Sequence, residues 1–284
     1  MSQYAGHGSS LVRSAAEGGQ PLRVYACGGD GTLNEVVCGA VGYPNVAVTH
    51  FPGGSGNDFV KLFDDPAAFG DLTRLLDCEE AQFDLMQCRT QTGQPPAYAL
   101  NVLSIGVDAR IGTSIHKYKR LPLVTGSGAY LLSTLVNVIK GIHQHYTIEL
   151  DGMVLDGRKT LIYVTNGRYY GGGFHPIPDA DPADGYLDVL IVDAVSRFQA
   201  AAVIGDYKNG LYAKHPDLIH RYRCKEITIH CDGPSEINLD GELLFGQNVT
   251  FSLAPEKIRF FYPSKLSWRK TPVAASKASD FPEF

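Results

Sequence analysis

The chain has 284 residues, of which 44% are hydrophobic and 19% charged. This composition is typical of a globular protein with one large or two medium domains, and it excludes a disordered or fibrous chain. The formal net charge of -5 provides no basic field for non-specific nucleic-acid binding, so we expect no nucleic-acid partner. No stretch approaches the roughly 20 apolar residues of a membrane span, and residues 1–8 lack the pattern of a signal peptide. We therefore expect a soluble, cytoplasmic protein.

Helical and strand patterns alternate through the first ninety residues. Helical spacing of apolar residues covers 7–17, 33–40 and a stretch toward residue 63, and short apolar runs that predict strands cover 22–27 and 46–51. Each of the two runs leads directly into a glycine-rich turn. This order is typical of a parallel α/β domain. Ligands of such domains bind beyond the carboxyl ends of the strands, where both glycine turns would lie.

Beyond residue 90 the sequence consists mostly of short apolar runs separated by turns with glycine, aspartate or proline. The runs cover residues 97–105, 146–150, 159–165, 187–192, 226–230, 235–239 and 248–253. Many short strands in succession predict a β-sandwich, which helical patterns at 130–142 and 198–212 interrupt. The fold class that we predict is thus α/β + β. An N-terminal parallel α/β domain (1–90) precedes a C-terminal β-sandwich domain (91–264), and the polar tail (265–284) is either mobile or packed back on the first domain.

The clearest functional signal is the sequence G-G-D-G-T at a strand-to-helix junction, which consists of Gly28, Gly29, Asp30, Gly31 and Thr32. Glycines let the backbone approach a phosphate closely, and the N-terminus of the following helix offers unpaired N–H groups and a partial positive charge. A carboxylate in such a loop is explained if a divalent cation lies between it and the phosphate. The plain alternative is a glycine turn in which Asp30 caps the helix.

A second glycine loop, P-G-G-S-G-N-D-F at 52–59, repeats this chemistry. It combines flexible backbone with the hydroxyl of Ser55 and with Asn57 and Asp58 at the start of a helical stretch. Asp58 as a helix cap is the plain alternative. Two such loops, one strand apart, would face each other across one crevice, and this arrangement favours a nucleoside triphosphate site. The pair of loops therefore predicts a nucleotide-binding function for the first domain.

A third candidate element lies far along the chain, where Asp240 and Glu242 flank Gly241. This spacing suits a tight turn that presents two carboxylates. Phosphoryl transfer to an alcohol uses a carboxylate that accepts the hydroxyl proton, so the turn is a candidate for the catalytic residues. A β-hairpin turn without a catalytic role is the alternative, and D-G-E on its own is a weak signal.

Together these motifs resemble the diacylglycerol kinase catalytic-domain family, in its soluble bacterial lipid kinase branch, which is related to sphingosine kinases. The similarity covers nearly the whole chain, and the combination of motifs is highly specific, whereas G-G-D-G alone also occurs in NAD kinases and phosphofructokinases. The matching segments follow the family's order: G-H at 6–7, G-G-D-G-T-L-N-E-V at 28–36, P-G-G-S-G-N-D-F at 52–59, F-D-L at 83–85, L-N-V at 100–102, G-V-D-A at 106–109, Y-G-G-G-F at 170–174, D-G-Y-L-D at 184–188 and L-D-G-E-L at 239–243.

The resemblance implies ATP and magnesium as cofactors and assigns residues to them. The implied nucleotide ligands are Ser2, Gly28, Gly29, Asp30, Gly31, Thr32, Asn34, Ser55 and Asn57. The implied ligands of the catalytic magnesium are Asp30, Asp58 and Asp84. A structural magnesium would be held by Asp181, the side chain of Asp184 and the carbonyl of Tyr186. The D-G at 184–185 equally suits a plain turn. Glu242 would accept the proton of the acceptor hydroxyl, with Asp240 supporting it.

The acceptor that the resemblance implies is a lipid hydroxyl, such as that of diacylglycerol, and the product would be a phospholipid such as phosphatidic acid. Residues 114–142 combine a basic lead-in at Lys117, Lys119 and Arg120 with an apolar helical pattern. This pattern fits docking on an anionic membrane, and a core-packed helix fits it equally. We expect a lipid substrate at the membrane surface and transient membrane association of a cytoplasmic protein. A homodimer is a further possibility.

The start of the chain departs from the family pattern. Relatives begin with a β-strand and an N-P-x-S-G loop before a T-x-x-x-G-H segment, whereas here Ser2 stands at the position of that threonine. Loss of this strand would shorten the α/β domain and its nucleotide loop. One alternative function is therefore a catalytically weak nucleotide- or lipid-binding protein. The other is an NAD kinase-like enzyme, which would need an Asn-Glu pair and a downstream Asp for the dinucleotide. Asn166-Gly167 stands where the acidic partner would be sought, and the second glycine loop also argues against this alternative.

Overall fold

The computed structural model describes residues 4–90, 95–106 and 144–269. In the first part these form α1 (His7–Ala16), β1 (Leu22–Gly28), α2 (Asp30–Ala40), β2 (Val46–Pro52), 3-10 turns at Phe59–Leu62 and Pro66–Gly70, and α3 (Leu72–Leu76). There follow β3 (Cys78–Arg89), β4 (Ala97–Ala99), β5 (Val102–Gly106), β6 (Gln144–Leu150), β7 (Met153–Thr165), β8 (Leu187–Asp193), α4 (Arg197–Lys208), a 3-10 turn at Tyr212–Lys214, β9 (Ile219–Cys224), β10 (Glu226–Leu239) and β11 (Glu242–Pro263).

The first part is an α/β layer whose two leading strands end at the same edge. β1 and β2 are parallel, with Gly28 opposite Pro52, so both glycine loops leave the sheet together. The end of β11 extends this sheet, parallel to β2 and antiparallel to β3. Buried apolar side chains of α1, α2 and these strands form its core. The predicted α/β order is confirmed, except that β3 runs antiparallel and the helix predicted toward residue 63 is one 3-10 turn.

The second part is closed into a sandwich by two long strands. β7 and β10 each pair with both β5 and β6, and β10 changes partner across a register shift between His230 and Ser235. A bulge of this kind bends a strand and lets it pass from one sheet to the other. The enclosed core is apolar and includes residues of nine of the described strands, β3 to β11. The predicted β-sandwich is confirmed, although the runs at 226–230 and 235–239 are one strand.

α4 covers the outer face of the sandwich and fixes a glycine turn beside it. Ser196 and Gln199 begin the helix with a capping box, in which each side chain accepts a hydrogen bond from the backbone N–H of the other residue. The hydroxyl group of Tyr207 in the helix is hydrogen-bonded to the hydroxyl group of Tyr170, at 3.1 Å. Lys208 accepts a hydrogen bond from the N–H of His175 through its carbonyl, at 2.8 Å. These contacts anchor both ends of the Y-G-G-G-F turn.

A buried arginine joins the two parts of the chain. Arg168 donates hydrogen bonds to the carbonyls of Ala180 at 2.9 Å, Trp268 at 3.0 Å and Leu62 at 3.4 Å, and burial lowers the pKa of its guanidinium. Trp268 is 8% exposed and packs edge-on against Phe83 in the first core. Residues just after β11 therefore contact the first part. The boundaries at residues 90 and 264 stay a prediction, and the remaining tail from 270 lies outside the described residues.

The helical pattern at 130–142, and the basic lead-in before it, also lie outside the described residues. Within the part of the chain that the structure describes, no helix combines the length and the apolar character needed to cross a membrane.

Candidate functional site

The two glycine loops lie in direct backbone contact at the ends of β1 and β2. The N–H of Gly53 donates to the carbonyl of Gly28 at 2.7 Å, and a Cβ placed on Gly54 would lie 2.4 Å from the Cα of Gly29. Only glycine permits so close an approach of two backbones. The loops therefore form one continuous surface, next to the N-terminus of α2.

Asp30 begins α2 and contacts the second loop. Gly29 is the N-cap and Asp30 makes no capping bond, so the plain alternative of Asp30 as a cap is wrong. Its Oδ1 accepts a hydrogen bond from the N–H of Asp58 at 2.6 Å. Its Oδ2 would lie 2.5 Å from a Cβ placed on Gly56. Among the described residues Oδ2 accepts no hydrogen bond, so this oxygen faces the gap that Gly56 leaves.

Asp58 connects the second glycine loop to the sandwich. Its carboxylate is buried and binds the ammonium of Lys61 at 2.6 Å through Oδ1. Its Oδ2 accepts a hydrogen bond from the N–H of Gly172 at 2.8 Å. Burial, and then the charge of Asp30, raise the pKa of Asp58. Asp58 occupies the N-cap position of the following 3-10 turn, as the plain alternative expected, but its side chain makes no capping hydrogen bond there.

Asp84, on β3, resembles Asp58 in that its carboxylate binds one lysine and one glycine N–H group. Its Oδ2 accepts a hydrogen bond from the N–H of Gly185 at 2.8 Å, and its Oδ1 lies 2.6 Å from the ammonium of Lys257. Its carbonyl accepts from the Asn166 side chain at 2.7 Å. Both carboxylate oxygens of Asp84 are thus occupied, as are those of Asp58. Of the three aspartates assigned to the catalytic magnesium, Asp30 alone presents an oxygen without a partner among the described residues.

Asp240 forms a tight hairpin turn and folds its carboxylate inward. With Gly241 it joins β10 to β11, and both residues have positive φ, 48° and 96°, as a type I′ hairpin requires. The carboxylate accepts hydrogen bonds from the N–H groups of Leu100 at 2.6 Å, Asn101 at 3.1 Å and Val102 at 2.7 Å. Burial raises the pKa of Asp240 to about 6, and the charge of Asp30 adds to the effect. Asp30 therefore acts electrostatically on this turn.

Glu242 is the first residue of β11 and is exposed. Burial, and then the charge of Asp240, raise the pKa of Cys38 in α2 to about 12, and the charge of Glu242 makes a smaller contribution. Both carboxylates of the D-G-E turn therefore act electrostatically on Cys38 of α2. Within the described part of the chain the Glu242 carboxylate makes no hydrogen bond or ion pair.

The other residues assigned to the nucleotide occupy the loops or the start of α2. Gly31 has open space where a Cβ would stand, and Ser55 is exposed. Asn57, with φ 49°, binds the N–H and the carbonyl of Gly54 through its carboxamide, at 3.0 and 2.8 Å. Asn34 is buried and contacts the thiol of Cys38 at 3.8 Å. Thr32 lies against Gly28, and Ser2 lies outside the described residues.

The residues assigned to a structural magnesium share one loop but are engaged otherwise. Asp184 accepts a hydrogen bond from the N–H of Tyr186 at 3.0 Å and forms an ion pair with Arg223. Asp181 accepts one from the N–H of Ala183 at 3.0 Å. Burial raises the pKa of Asp184, and Asp181 contributes to the effect. Arg223 already occupies the Asp184 carboxylate, so these contacts do not present a magnesium ligand set, and the second metal site stays a prediction.

Magnesium at Asp30 fits the residues that are present. The described residues hold no group of three or more His, Cys, Asp or Glu side chains able to bind a metal by themselves. Mg²⁺ at a phosphate site needs no such group, because one or two carboxylates, the phosphates and water complete its shell. The unpartnered Oδ2 of Asp30 is a suitable ligand. A cation there would also offset the negative charge that raises the pKa of Asp58 and Asp240.

Three residues of the site were missed by the sequence analysis. Lys61 lies three residues after Asp58 in the same turn and binds its carboxylate. The i, i+3 spacing of opposite charges could have indicated this ion pair. Lys257 reaches Asp84 from the far end of the chain, and no local pattern indicates such a contact. His50 is fully buried and lies under the first loop, with Nε2 2.8 Å from the carbonyl of Gly28. A histidine inside an apolar strand just before a glycine loop was the available signal.

Two family models match the chain. "Diacylglycerol kinase catalytic domain" covers residues 1–88, which include both glycine loops and Asp84, and "YegS C-terminal NAD kinase beta sandwich-like domain" covers residues 101–262. Among curated relatives, a "Putative lipid kinase" of Staphylococcus carnosus is 26% identical over 246 residues, which is 84% of this chain and 76% of that protein. "Putative lipid kinase SH2167" of Staphylococcus haemolyticus is 26% identical over 238 residues, 83% and 75% of the two chains.

Solved structures agree with the fold. A structure described as "a putative diacylglycerol kinase from Bacillus anthracis str. Sterne" superposes with a TM-score of 0.71 at 23% identity, over 91% of this chain and 83% of that one. A second structure from the same organism, described as one of "diacylglycerol kinases", gives a TM-score of 0.65 at 20% identity over 91% and 82% of the two chains. The superpositions establish the fold, and at identities this low they show the fold alone. Because the β-sandwich model alone matches more than half of the chain and the catalytic-domain model matches the rest of the site, this chain belongs to the diacylglycerol kinase catalytic-domain family with a YegS-type C-terminal domain.

Proposed function

We propose that this protein transfers the γ-phosphoryl group of ATP to the hydroxyl group of a lipid, with diacylglycerol as the first candidate. The observation that carries the proposal is the contact between the two glycine loops and Asp30. It places bare backbone, a helix N-terminus and an unpartnered carboxylate oxygen side by side, and this is the combination that binds and neutralises a transferring phosphoryl group. The names of the relatives support a lipid as the acceptor.

The chain's own backbone binds the triphosphate. The N–H groups at the N-terminus of α2 have no carbonyl partner within the helix, and the helix dipole favours an anion there. Gly31 leaves the approach to these groups open. Asn57 holds the second loop in shape through its two bonds to Gly54. The loops therefore orient the phosphates, and Ser55 supplies a hydroxyl at their edge.

Asp30 is the residue that holds magnesium, together with the phosphates themselves. When bound, the cation neutralises charge that develops on the phosphoryl oxygens during transfer. Asp58 and Asp84 act differently, because lysines and backbone N–H groups occupy both of their carboxylates. We propose that Asp58 and Asp84 have a structural role, in which their hydrogen bonds fix the position of the second part of the chain relative to Asp30.

Glu242 accepts the proton of the lipid hydroxyl. As that proton passes to the carboxylate, the hydroxyl oxygen forms a bond to the γ-phosphorus, the bond from this phosphorus to the bridging oxygen breaks, and ADP leaves. Asp240 contributes by fixing the hairpin against the N–H groups of residues 100–102. The product from diacylglycerol is phosphatidic acid. A lipid acceptor requires the enzyme to work at the membrane surface, so we also propose peripheral, transient membrane contact of a cytoplasmic enzyme.

The proposal is tested with γ-labelled ATP, magnesium and mixed micelles that contain diacylglycerol or sphingosine, with NAD as a separate acceptor. We expect label in a lipid, and a loss of at least about a hundredfold in kcat for Glu242→Gln and Asp30→Asn. Glu226→Gln is the matched control, because Glu226 is likewise an exposed glutamate at the first residue of a strand. It should transfer label as the parent does.

The same assay distinguishes the lipid kinase from the two alternative functions. Label in NAD would favour an NAD kinase-like enzyme, and no transfer to any acceptor would favour a protein that only binds nucleotide or lipid. If the Glu242 and Asp30 variants both transferred label as fast as the parent, the assigned mechanism would be wrong. Static light scattering of the same preparations tests whether the enzyme is a homodimer.

A further inference from the structure

A fully buried histidine lies directly beneath the first glycine loop. His50 is a residue of β2, is 0% exposed and places its Nε2 2.8 Å from the carbonyl oxygen of Gly28. The oxygen can only accept, so Nε2 carries the proton of the imidazole. The same oxygen accepts the N–H of Gly53 at 2.7 Å. The carbonyl of Gly28 is thus held by two donors, both from β2 or the loop that follows it.

This double contact also sets the direction of the next N–H group. The described residues contain no cis peptide bond, and in a trans peptide the C=O of one residue and the N–H of the next point in opposite directions. With the carbonyl of Gly28 directed toward β2, the N–H of Gly29 points away from that strand. Gly29 is the N-cap of α2. Within the described residues its N–H has no acceptor.

The peptide between Gly28 and Gly29 needs such a restraint because of its composition. Glycine populates positive and negative φ about equally, so a Gly-Gly peptide rotates about its flanking bonds with little steric resistance. Rotation by half a turn would direct a carbonyl oxygen, instead of an N–H, toward a bound phosphate. The contact from His50 opposes this rotation.

The packing of His50 gives no separate reason for a histidine at this position. Its Nδ1 is buried and has no hydrogen-bond partner in the part of the chain that the structure describes, which is unfavourable for folding. An apolar side chain of similar size would avoid this cost. The only polar contact that the imidazole makes among these residues is with Gly28.

We infer that His50 is a positioning residue of the phosphate site, which holds the Gly28–Gly29 peptide with the N–H of Gly29 directed at the nucleotide. The inference rests on the proposed use of ATP. It assigns to His50 no contact with ATP, only the orientation of a group that makes one.

The test compares three variants by calorimetric binding of ATP and of adenosine, together with thermal unfolding. His50→Leu removes the donor, and His50→Gln keeps an N–H that reaches about as far as Nε2. Thr49→Val is the matched control, because Thr49 is the adjacent buried residue of β2 and also has an unpartnered polar atom, Oγ1. Among the described residues, its side chain makes no hydrogen bond to the loop.

For His50→Leu we expect the Kd for ATP to rise about tenfold, which corresponds to about 1.4 kcal/mol, while the Kd for adenosine and the Tm stay at or above parental values. His50→Gln should restore most of the ATP affinity, and Thr49→Val should bind as the parent does. Unchanged ATP affinity with a lower Tm in His50→Leu would show a purely structural role and overturn the inference. An equal loss for ATP and adenosine would overturn it as well. If the parent itself bound no ATP, the proposed function would fail, and the inference with it.

Discussion

The carboxylate of Asp58 accepts a hydrogen bond from the N–H of Gly172, at 2.8 Å and across 114 positions of the chain. The N–H of Asp58 in turn donates to Asp30 at the start of α2. Gly172 lies in the turn that Tyr170 anchors to Tyr207 in α4. A continuous series of contacts therefore runs from the first glycine loop to the outer face of the sandwich, and both parts of the chain are needed to shape the site.

Removal of this connection should destabilise the protein. We expect Asp58→Ala to lower the free energy of unfolding by about 2–3 kcal/mol, because the Gly172 N–H and the Lys61 ammonium lose their partner at a buried site. Urea unfolding followed by circular dichroism measures the change. Asp232→Ala is the control: this aspartate is exposed on β10, so its replacement should shift stability by no more than about 0.5 kcal/mol. Equal midpoints for the parent and Asp58→Ala would contradict the role assigned to Asp58.

Gly54 should tolerate no side chain at all. In Gly54→Ala the new Cβ would lie 2.4 Å from the Cα of Gly29, and the two loops would have to separate, since backbone on both sides cannot yield as a side-chain end can. We expect a lower Tm together with a loss of ATP affinity of tenfold or more. Thermal unfolding and calorimetry on the same sample measure both. An unaffected Tm would show that the loops are not held in contact.

Gly31→Ala separates binding from stability at the same site. Gly31 lies inside α2, has no atom within 4 Å of the position that a Cβ would take and has no positive φ. Alanine favours a helix by up to about 1 kcal/mol over glycine, so the Tm should stay or rise. A methyl group would nevertheless project into the space where the phosphates bind, and we expect ATP affinity to fall about tenfold. Parental affinity in Gly31→Ala would place the phosphates elsewhere.

The first ninety residues could be predicted well because their signals are local. Apolar runs that end in glycine turns marked β1 and β2 correctly, and the helix predicted at 33–40 begins at Asp30. The two loops were expected to face each other across a crevice, yet they are in contact. That difference follows from the spacing of adjacent parallel strands, which leaves room for bare backbone and little else.

The sandwich was predicted as a class but not in its strand boundaries, because distant residues decide them. The run at 97–105 is divided into β4 and β5 because the carboxylate of Asp240 takes the N–H groups of residues 100–102. The run at 248–253 is part of a strand of 22 residues. Pro255, Glu256 and Lys257 look like a turn, but a register shift between Leu253 and Lys257 carries the strand through them and into the first core.

The motif aspartates show the same limit at the site. The sequence motifs placed Asp30, Asp58 and Asp240 at the correct loops and turns, and the family resemblance singled out Asp84, which lies on β3. It could not show that N–H groups from segments far away occupy three of the four carboxylates. A carboxylate in a glycine-rich motif serves equally as a metal ligand or as an acceptor for backbone, and only the tertiary contacts distinguish the two.

The raised pKa of Asp240 makes stability depend on pH in the direction opposite to that of a carboxylate whose pKa is lowered by an ion pair. With a folded-state pKa of about 6 against about 4 in the unfolded chain, the folded protein binds the proton more tightly. This group's contribution to the free energy of unfolding therefore falls as pH rises from about 4 to about 6, by on the order of 2 kcal/mol. It is fully present below about pH 4 and lost above about pH 6.

Asp240→Asn isolates this contribution, because asparagine is neutral throughout the range and also adopts positive φ readily. Urea unfolding from about pH 4 to about pH 7 measures the free energy of unfolding of both proteins. As the pH rises, we expect the free energy of unfolding of the parent to fall relative to that of Asp240→Asn. Asp30→Asn removes the neighbouring charge that contributes to the shift, so in that background the change should move to lower pH. If the parent and Asp240→Asn curves ran parallel over this range, the Asp240 carboxylate would titrate normally, and burial against residues 100–102 would not set its pKa.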